Sequence, residues 1–175
     1  MKNRQVAIDS SSAIILNRAG LYELTASLFS PVFSESVYDE LTVPEHQDSG
    51  FFISAVIKGL TDIIGPPTAA STKRNMEKLS RLGTGERDTI LLFLAGKASF
   101  IIIDDKKGSI FCKENEIPYV NALLVPKLLL YSSCLSPDEC SEFMEKIIAI
   151  GRYSQWVIDS AMAFGERELN FFINQ

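Results

Sequence analysis

Histidine is nearly absent from this chain. His46 is the only one among 175 residues, and it sits in the polar stretch Pro44-Glu45-His46-Gln47-Asp48-Ser49-Gly50. Cysteine is scarce as well: Cys112, Cys134 and Cys140 show no paired spacing. Three such thiols and one histidine do not make a standard zinc site. They read as reduced thiols rather than as a disulfide framework, and a cysteine nucleophile with His46 as its base carries little weight. A basic surplus is missing too, since 17 Lys and Arg face 22 Asp and Glu for a net charge of −5. That balance argues against broad, non-specific attachment to nucleic acid. It leaves open a site whose phosphate contacts are local. Long apolar runs are also lacking. Val6-Ala7-Ile8 is broken at once by Asp9 and three serines, so neither a signal peptide nor a spanning helix is expected. The expected place is the cytoplasm, with no membrane partner.

What is present is an ordinary globular mixture, 46% apolar and 22% charged, in a length that suits one domain with a substantial core. Residues 5–9 read as a short buried strand. Ser10, Ser11 and Ser12 can cap a helix over residues 13–18, which Gly20 breaks. Residues 21–29 carry apolar groups at helical spacing, residues 31–33 a short strand, and Ser34 caps a helix to Leu41. A loop covers residues 42–49. Residues 51–64 read as a helix, although their β-branched side chains leave strand open, and Gly65-Pro66-Pro67 ends the run. A polar helix over residues 69–82, a Gly83-Thr84-Gly85 turn and a helix over residues 86–95 follow.

Residues 100–103 are the clearest strand, four apolar positions suited to burial on both faces of a parallel sheet. A helix is expected over residues 107–115, a strand over 117–120 and a helix over 121–131. Ser136-Pro137-Asp138-Glu139 is an N-cap with proline at the first helical position, starting a helix to Ile150 that Gly151 ends. Residues 154–164 form the last expected helix. Leu123, Leu124, Leu128, Leu129 and Leu130 belong to the core rather than to an interface. Short strands alternating with helices give an α/β fold, a three-layer α/β/α sandwich around a short parallel sheet. Right-handed crossovers bring the strand C-terminal ends to one edge, where sites form.

Acidic residues fall at that edge. Asp9 ends the first strand, and Asp104 and Asp105 end the strand at residues 100–103. Each has an ordinary reading as a turn or cap residue, but two strands of one parallel sheet deliver both to the same place. Glu86 follows Gly83-Thr84-Gly85 at a helix start, where an acid also suits the helix dipole. The glycines lack the lysine and hydroxyl ending of a phosphate loop. Glu40, in Val37-Tyr38-Asp39-Glu40-Leu41, would by itself be a solvated helix residue. An oxygen-only set of carboxylates suits Mg²⁺ or Mn²⁺, and such ions support phosphodiester hydrolysis by water with no covalent nucleophile.

In this order the motifs resemble the PIN domain, whose members are mostly metal-dependent ribonucleases and in many cases toxins of toxin–antitoxin pairs. The resemblance is carried by Ile8-Asp9-Ser10-Ser11, by Val37-Tyr38-Asp39-Glu40-Leu41, by Leu82-Gly83-Thr84-Gly85-Glu86-Arg87-Asp88 and by Ile102-Ile103-Asp104-Asp105-Lys106. The Gly-x-Gly-Glu helix start and the Ser136-Pro137 and Phe164-Gly165-Glu166 segments look like one branch of PIN-like nucleic-acid-binding proteins. The resemblance implies one PIN-like domain over residues 1–175, with a variable helical insertion around residues 42–78. It implies Asp9, Glu40, Glu86 and Asp105 as catalytic metal ligands for Mg²⁺ or Mn²⁺, with Asp88 as the alternative to Glu86 and Asp104 as the alternative to Asp105. It also implies Ser10 or Ser11 as a supporting hydroxyl. Lys106-Lys107-Gly108-Ser109 stands where that branch usually has an arginine, and Asn121-Ala122-Leu123-Leu124 where it has a glycine turn.

The leading expectation is therefore an endoribonuclease acting on RNA, with a small antitoxin or a second copy of the chain as further partners. Lys73, Arg74, Lys78, Arg81, Arg87, Lys106 and Lys107 are the candidate RNA contacts, each also readable as ordinary solvated surface. A non-catalytic binding module on the same fold is the second expectation. A signalling receiver domain, suggested by Ile102-Ile103-Asp104-Asp105, fits poorly because its paired acids belong to the first strand.

Overall fold

Every strand among the described residues is short, and each lies beside a neighbour running the same way. The computed structural model describes residues 4–65 and 76–173. In it β1 (Gln5–Ile8), β2 (Ser30–Ser34), β3 (Asp62–Ile64), β4 (Phe100–Ile102) and β5 (Tyr119–Val120) form one sheet in the order β3-β2-β1-β4-β5. All four pairings are parallel. β1 is central, with Ala7 opposite Val32 on one side and Ile101 on the other. This is not the β2-β1-β3-β4-β5 order of receiver-type folds.

Alternation along the strands builds two cores. Val6, Ile8, Phe33, Phe100, Ile102 and Val120 face one apolar cluster, while Ala7, Val32, Ile101 and Ile103 face the other. Successive side chains point to opposite faces of a strand, so a sheet covered on both sides must be apolar throughout. The first cluster is closed by α1 (Ser10–Ala19), α2 (Tyr22–Leu28), α3 (Glu35–Leu41), α4 (Ser49–Ile57) and the C-terminal helices α8 (Val125–Tyr131), α9 (Pro137–Ile150), α10 (Gln155–Ala163) and α11 (Glu166–Ile173). The second is closed by α5 (Met76–Leu79), α6 (Thr84–Leu94) and α7 (Lys106–Glu114), through Leu79, Ile90, Leu92, Phe111 and Cys112. The result is the α/β/α sandwich that the strand and helix pattern implies. Leu123, Leu124, Leu128 and Leu129 are buried in it.

Two stretches differ from their sequence reading. Residues 51–64 are not one helix: α4 stops at Ile57, Gly59 turns the chain with φ of +70°, and Asp62–Ile64 becomes the edge strand β3. Glycine reaches that left-handed conformation without steric penalty, and the β-branched isoleucines after it favour an extended chain. At the other end the chain does not finish with residues 154–164. Phe164 leaves α10 in an extended conformation, and α11 follows, burying Leu169 and Phe172 against the sheet face. The predicted helix over residues 121–131 is a short 3₁₀ turn, Ala122–Leu124, running into α8. Of the polar helix predicted over 69–82, Met76–Leu79 is helical. Residues 69–75, and Pro66 and Pro67 before them, lie outside the described residues.

Candidate active site

Asp9 is the joint between strand and helix. Its backbone N–H extends the β1–β4 pairing to the Ile102 carbonyl at 3.1 Å, while its side chain caps α1. Oδ1 accepts from the Ser12 N–H at 2.8 Å, and Oδ2 accepts from the Ser11 hydroxyl at 3.0 Å. The cap is thus the acid itself rather than the serines after it. An N-cap acid satisfies one of the orphan N–H groups of a first helical turn. Asp9 is only 1% exposed. Burial, and then the charge of Asp104, push its carboxyl up to about 7, against donation from Ser12 and Ser11.

The serines of the first turn are aimed at carboxylates. Ser10 donates to Glu40 Oε2 at 2.7 Å, and Ser12 donates to Asp104 Oδ2 at 2.7 Å. Asp104 follows β4, where Ile103 still pairs with Val120. It accepts from the Tyr153 hydroxyl at 2.5 Å and from the Ala122 N–H at 3.0 Å. Burial raises its carboxyl, against those donors. Asp105, the next residue, faces differently. It caps α7, with Oδ1 accepting from the Lys107 and Gly108 N–H groups at 2.8 and 2.9 Å.

Glu40 and Glu86 meet across Gly85. A Cβ at Gly85 would stand 2.7 Å from Glu40 Oε2, so the second glycine of Gly83-Thr84-Gly85 is what lets α3 lay its carboxylate on the start of α6. Glu86 turns back over Gly83, accepting from the backbone there. Burial raises its carboxyl, helped by Asp105 and Glu40. Asp88 points elsewhere: it accepts from the Ser36 hydroxyl at 2.8 Å and pairs with its neighbour Arg87 at 2.9 Å.

The structure therefore sets Asp9 with Asp104, and Glu40 and Glu86 with Asp105, on one edge of the sheet, with the first turn of α1 between them. The donors are all oxygens, which suits a hard divalent cation in kind. Among the described residues, no three Asp, Glu, His or Cys side chains converge closely enough to hold a metal as they stand. The residues fit such an ion in donor chemistry, and their oxygens are turned to hydroxyl and backbone donors.

Sequence reasoning did not single out Ser12 or Tyr153. Ser12 was legible only as a capping serine, and Tyr153 lies 49 positions from its partner, with no local signal. Its ring packs over Gly151, where a side chain would displace it.

The candidate RNA contacts scatter. Lys78 pairs with Glu114 and Arg81 with Glu77, both at 3.3 Å, and Arg87 is held by Asp88. Lys73 and Arg74 lie outside the described residues. Lys106 and Lys107 are exposed. Lys106 lines a cleft of about 310 Å³ together with Ser11, Asp104, Asp105, Arg152 and Tyr153. His46 stays in its polar loop, and the three cysteines are free. Burial pushes the Cys112 thiol up to about 12, which suits a core side chain rather than a nucleophile.

A family model described as PIN domain matches residues 5–162. No curated protein and no solved structure matches the chain. Among the described residues no helix is long and apolar enough to cross a membrane.

Proposed function

The chain belongs to the PIN-domain family, with its nuclease-like fold, and from that premise we propose that it is a Mg²⁺- or Mn²⁺-dependent endoribonuclease. The observation that carries the reading is the buried Asp9 carboxyl beside Asp104, with Glu40, Glu86 and Asp105 on the same strand-end edge. Carboxyls raised by burial and by one another are in an arrangement that a cation would relieve. Asp9, Glu40, Glu86 and Asp105 would hold the ion, with Asp104 beside Asp9 as a further oxygen donor. When bound, the ion supplies Lewis-acid charge at a phosphodiester and makes water a stronger nucleophile at neutral pH.

The chain's own groups do the positioning. Ser11 and the Ser12 N–H orient Asp9. Ser12, Tyr153 and the Ala122 N–H fix Asp104. Ser10 orients Glu40. Such partners beyond the ligands set ligand direction and are as consequential as the ligands. A role as the toxin of a toxin–antitoxin pair belongs to this proposal. The exposed Ile53 and Ile57 of α4 offer an apolar face for an antitoxin or a second copy of the chain. The test is cleavage of an unstructured RNA in Mn²⁺, comparing wild type with Asp9→Asn. We expect the variant to lose at least about 100-fold in rate, in line with removal of a metal ligand or its orienting shell; equal rates would remove Asp9 from the chemistry.

A second reading is a non-catalytic nucleic-acid- or protein-binding module. It is favoured by the work the acids already do: Asp9 and Asp105 cap helices, and Glu86 turns onto the start of its own. Mn²⁺ titration separates the two, since a chain that takes up no ion at millimolar metal is the binding module.

A further inference from the structure

Resting on the nucleic-acid reading of the site, we propose that the start of α10 forms the outer wall of a groove for an unpaired strand, with Trp156 as the platform on which one base stacks. Three observations carry this. The cleft beside Asp104 and Asp105 has two cationic walls, Lys106 on the first turn of α7 and Arg152 just before α10. Among the described residues neither cation has an ion pair, so both are free to meet a phosphate. Two unneutralised cations beside a run of carboxylates have a use when a polyanion lies there, and each phosphate then has a local partner.

The third observation is Trp156 itself. It is the chain's only tryptophan, three residues after Tyr153, and it is 73% exposed. An indole left in water forgoes a large burial term, and nothing in the fold recovers it. Polar residues flank it, Arg152, Ser154, Gln155 and Asp159, with Gln155 donating to Asp159 at 2.8 Å. Val157 and Ile158 pack inward on the core, and the exposed Met162 lies about 120° round α10 from the ring. A protein-docking surface would present a contiguous apolar patch, as Ile53 and Ile57 do on α4. An exposed aromatic ring four positions along the chain from the unpaired Arg152 suits a base instead. Every base has a π face, and proteins that hold single strands alternate cationic grooves with stacking rings. Tyr153 is fixed to Asp104 at 2.5 Å, so the wall is tied to the reaction edge. Trp156 would then hold a nucleotide that flanks the scissile phosphate.

Because Trp156 is the sole tryptophan, its fluorescence reports this position alone. The full chain is titrated in EDTA at low ionic strength with an unstructured oligouridine, its DNA counterpart and a duplex of equal length, and affinity is read in parallel by anisotropy of the labelled strand. We expect saturable quenching by both single strands and little by the duplex. Trp156→Ala should bind the single strand roughly 5- to 100-fold more weakly, and Trp156→Phe should keep most of the affinity. Arg152→Ala should flatten the slope of log affinity against log salt by about 0.7.

Thermal unfolding of Trp156→Ala should match wild type, since the ring is exposed. Strand binding with unchanged tryptophan emission, or with unchanged affinity in Trp156→Ala, overturns the proposal. So does a Trp156→Ala chain that binds the strand normally but loses self-association, which would assign the ring to a protein interface. Cleavage in Mn²⁺ is scored separately. Quenching without cleavage sustains the groove and removes the nuclease, and cleavage without quenching does the reverse.

Discussion

Asp9 is a buried carboxyl beside a second buried carboxyl, Asp104. Its carboxyl is raised from 3.8 to about 7, so the folded chain holds a proton there that the unfolded chain has already released. The native state therefore binds more protons between those values, and stability falls as pH climbs from about 4 to about 7 and then levels. The ionised group costs the metal-free protein on the order of 4 kcal/mol at pH 8. Asp9→Asn keeps a good N-cap and removes the charge. We expect it to be more stable than wild type at pH 8, with a smaller loss between pH 5 and pH 8, as read by urea unfolding in EDTA. A variant that tracks wild type at both pH values would show that Asp9 is not held protonated.

Gly85 tests Glu40 without touching a carboxylate. Alanine there raises helix propensity by about 1 kcal/mol, yet its methyl would stand 2.7 Å from Glu40 Oε2. Glu40 is exposed and its side chain flexible, so it swings away at little expense. Gly85→Ala should fold as well as wild type and cleave RNA more slowly, whereas unimpaired cleavage would take Glu40 out of the site.

Among elements, α3 and α9 both begin and end where their sequence implies, α3 from the Ser34 cap to Leu41 and α9 from the Ser136 cap to Ile150. Ser136 accepts from the Glu139 N–H at 3.3 Å, and Glu139 accepts from the Ser136 N–H at 2.8 Å, a capping box with proline at the start of the helix. Cys140, Met144 and Ile147 fasten its inner face. Ser136→Ala should lower Tm by a few degrees and leave cleavage unchanged, because α9 contributes no carboxylate to the edge. The elements that escaped sequence reading are β3 and α11. β3 has three residues, too few for a periodicity to register. α11 follows Gly165, which reads as a stop after α10; Leu169, Phe172 and Ile173 do fall on one helical face, and that face packs on the Phe100 ring, 5.1 Å from Phe172.

At the scale of the molecule, folding collects carboxylates that repel one another, and the protein holds them by burial, hydroxyls and helix starts. Ion binding and protonation then compete for the same oxygens. Mn²⁺ should raise Tm more at pH 8 than at pH 5; the stabilisation grows with metal concentration and reaches about 2.7 kcal/mol at a hundredfold excess over Kd. A shift of equal size at both pH values would place the ion away from Asp9.

The class of fold and its acidic edge were written in one dimension. Apolar strands ending in Asp9 and in Asp104-Asp105, separated by capped helices, leave few arrangements other than a parallel sheet with acids at one edge. That much follows from side-chain period, cap chemistry and crossover handedness, all local properties. Which acid faces which was decided only in three dimensions. Asp104 turns to Asp9 and Asp105 to Glu86 although the two aspartates are adjacent, because one accepts from Tyr153 and Ala122 and the other caps α7. The donors to Asp105 are its next neighbours in the chain, but those to Asp104 lie 18 and 49 positions away, and only packing brings them within reach.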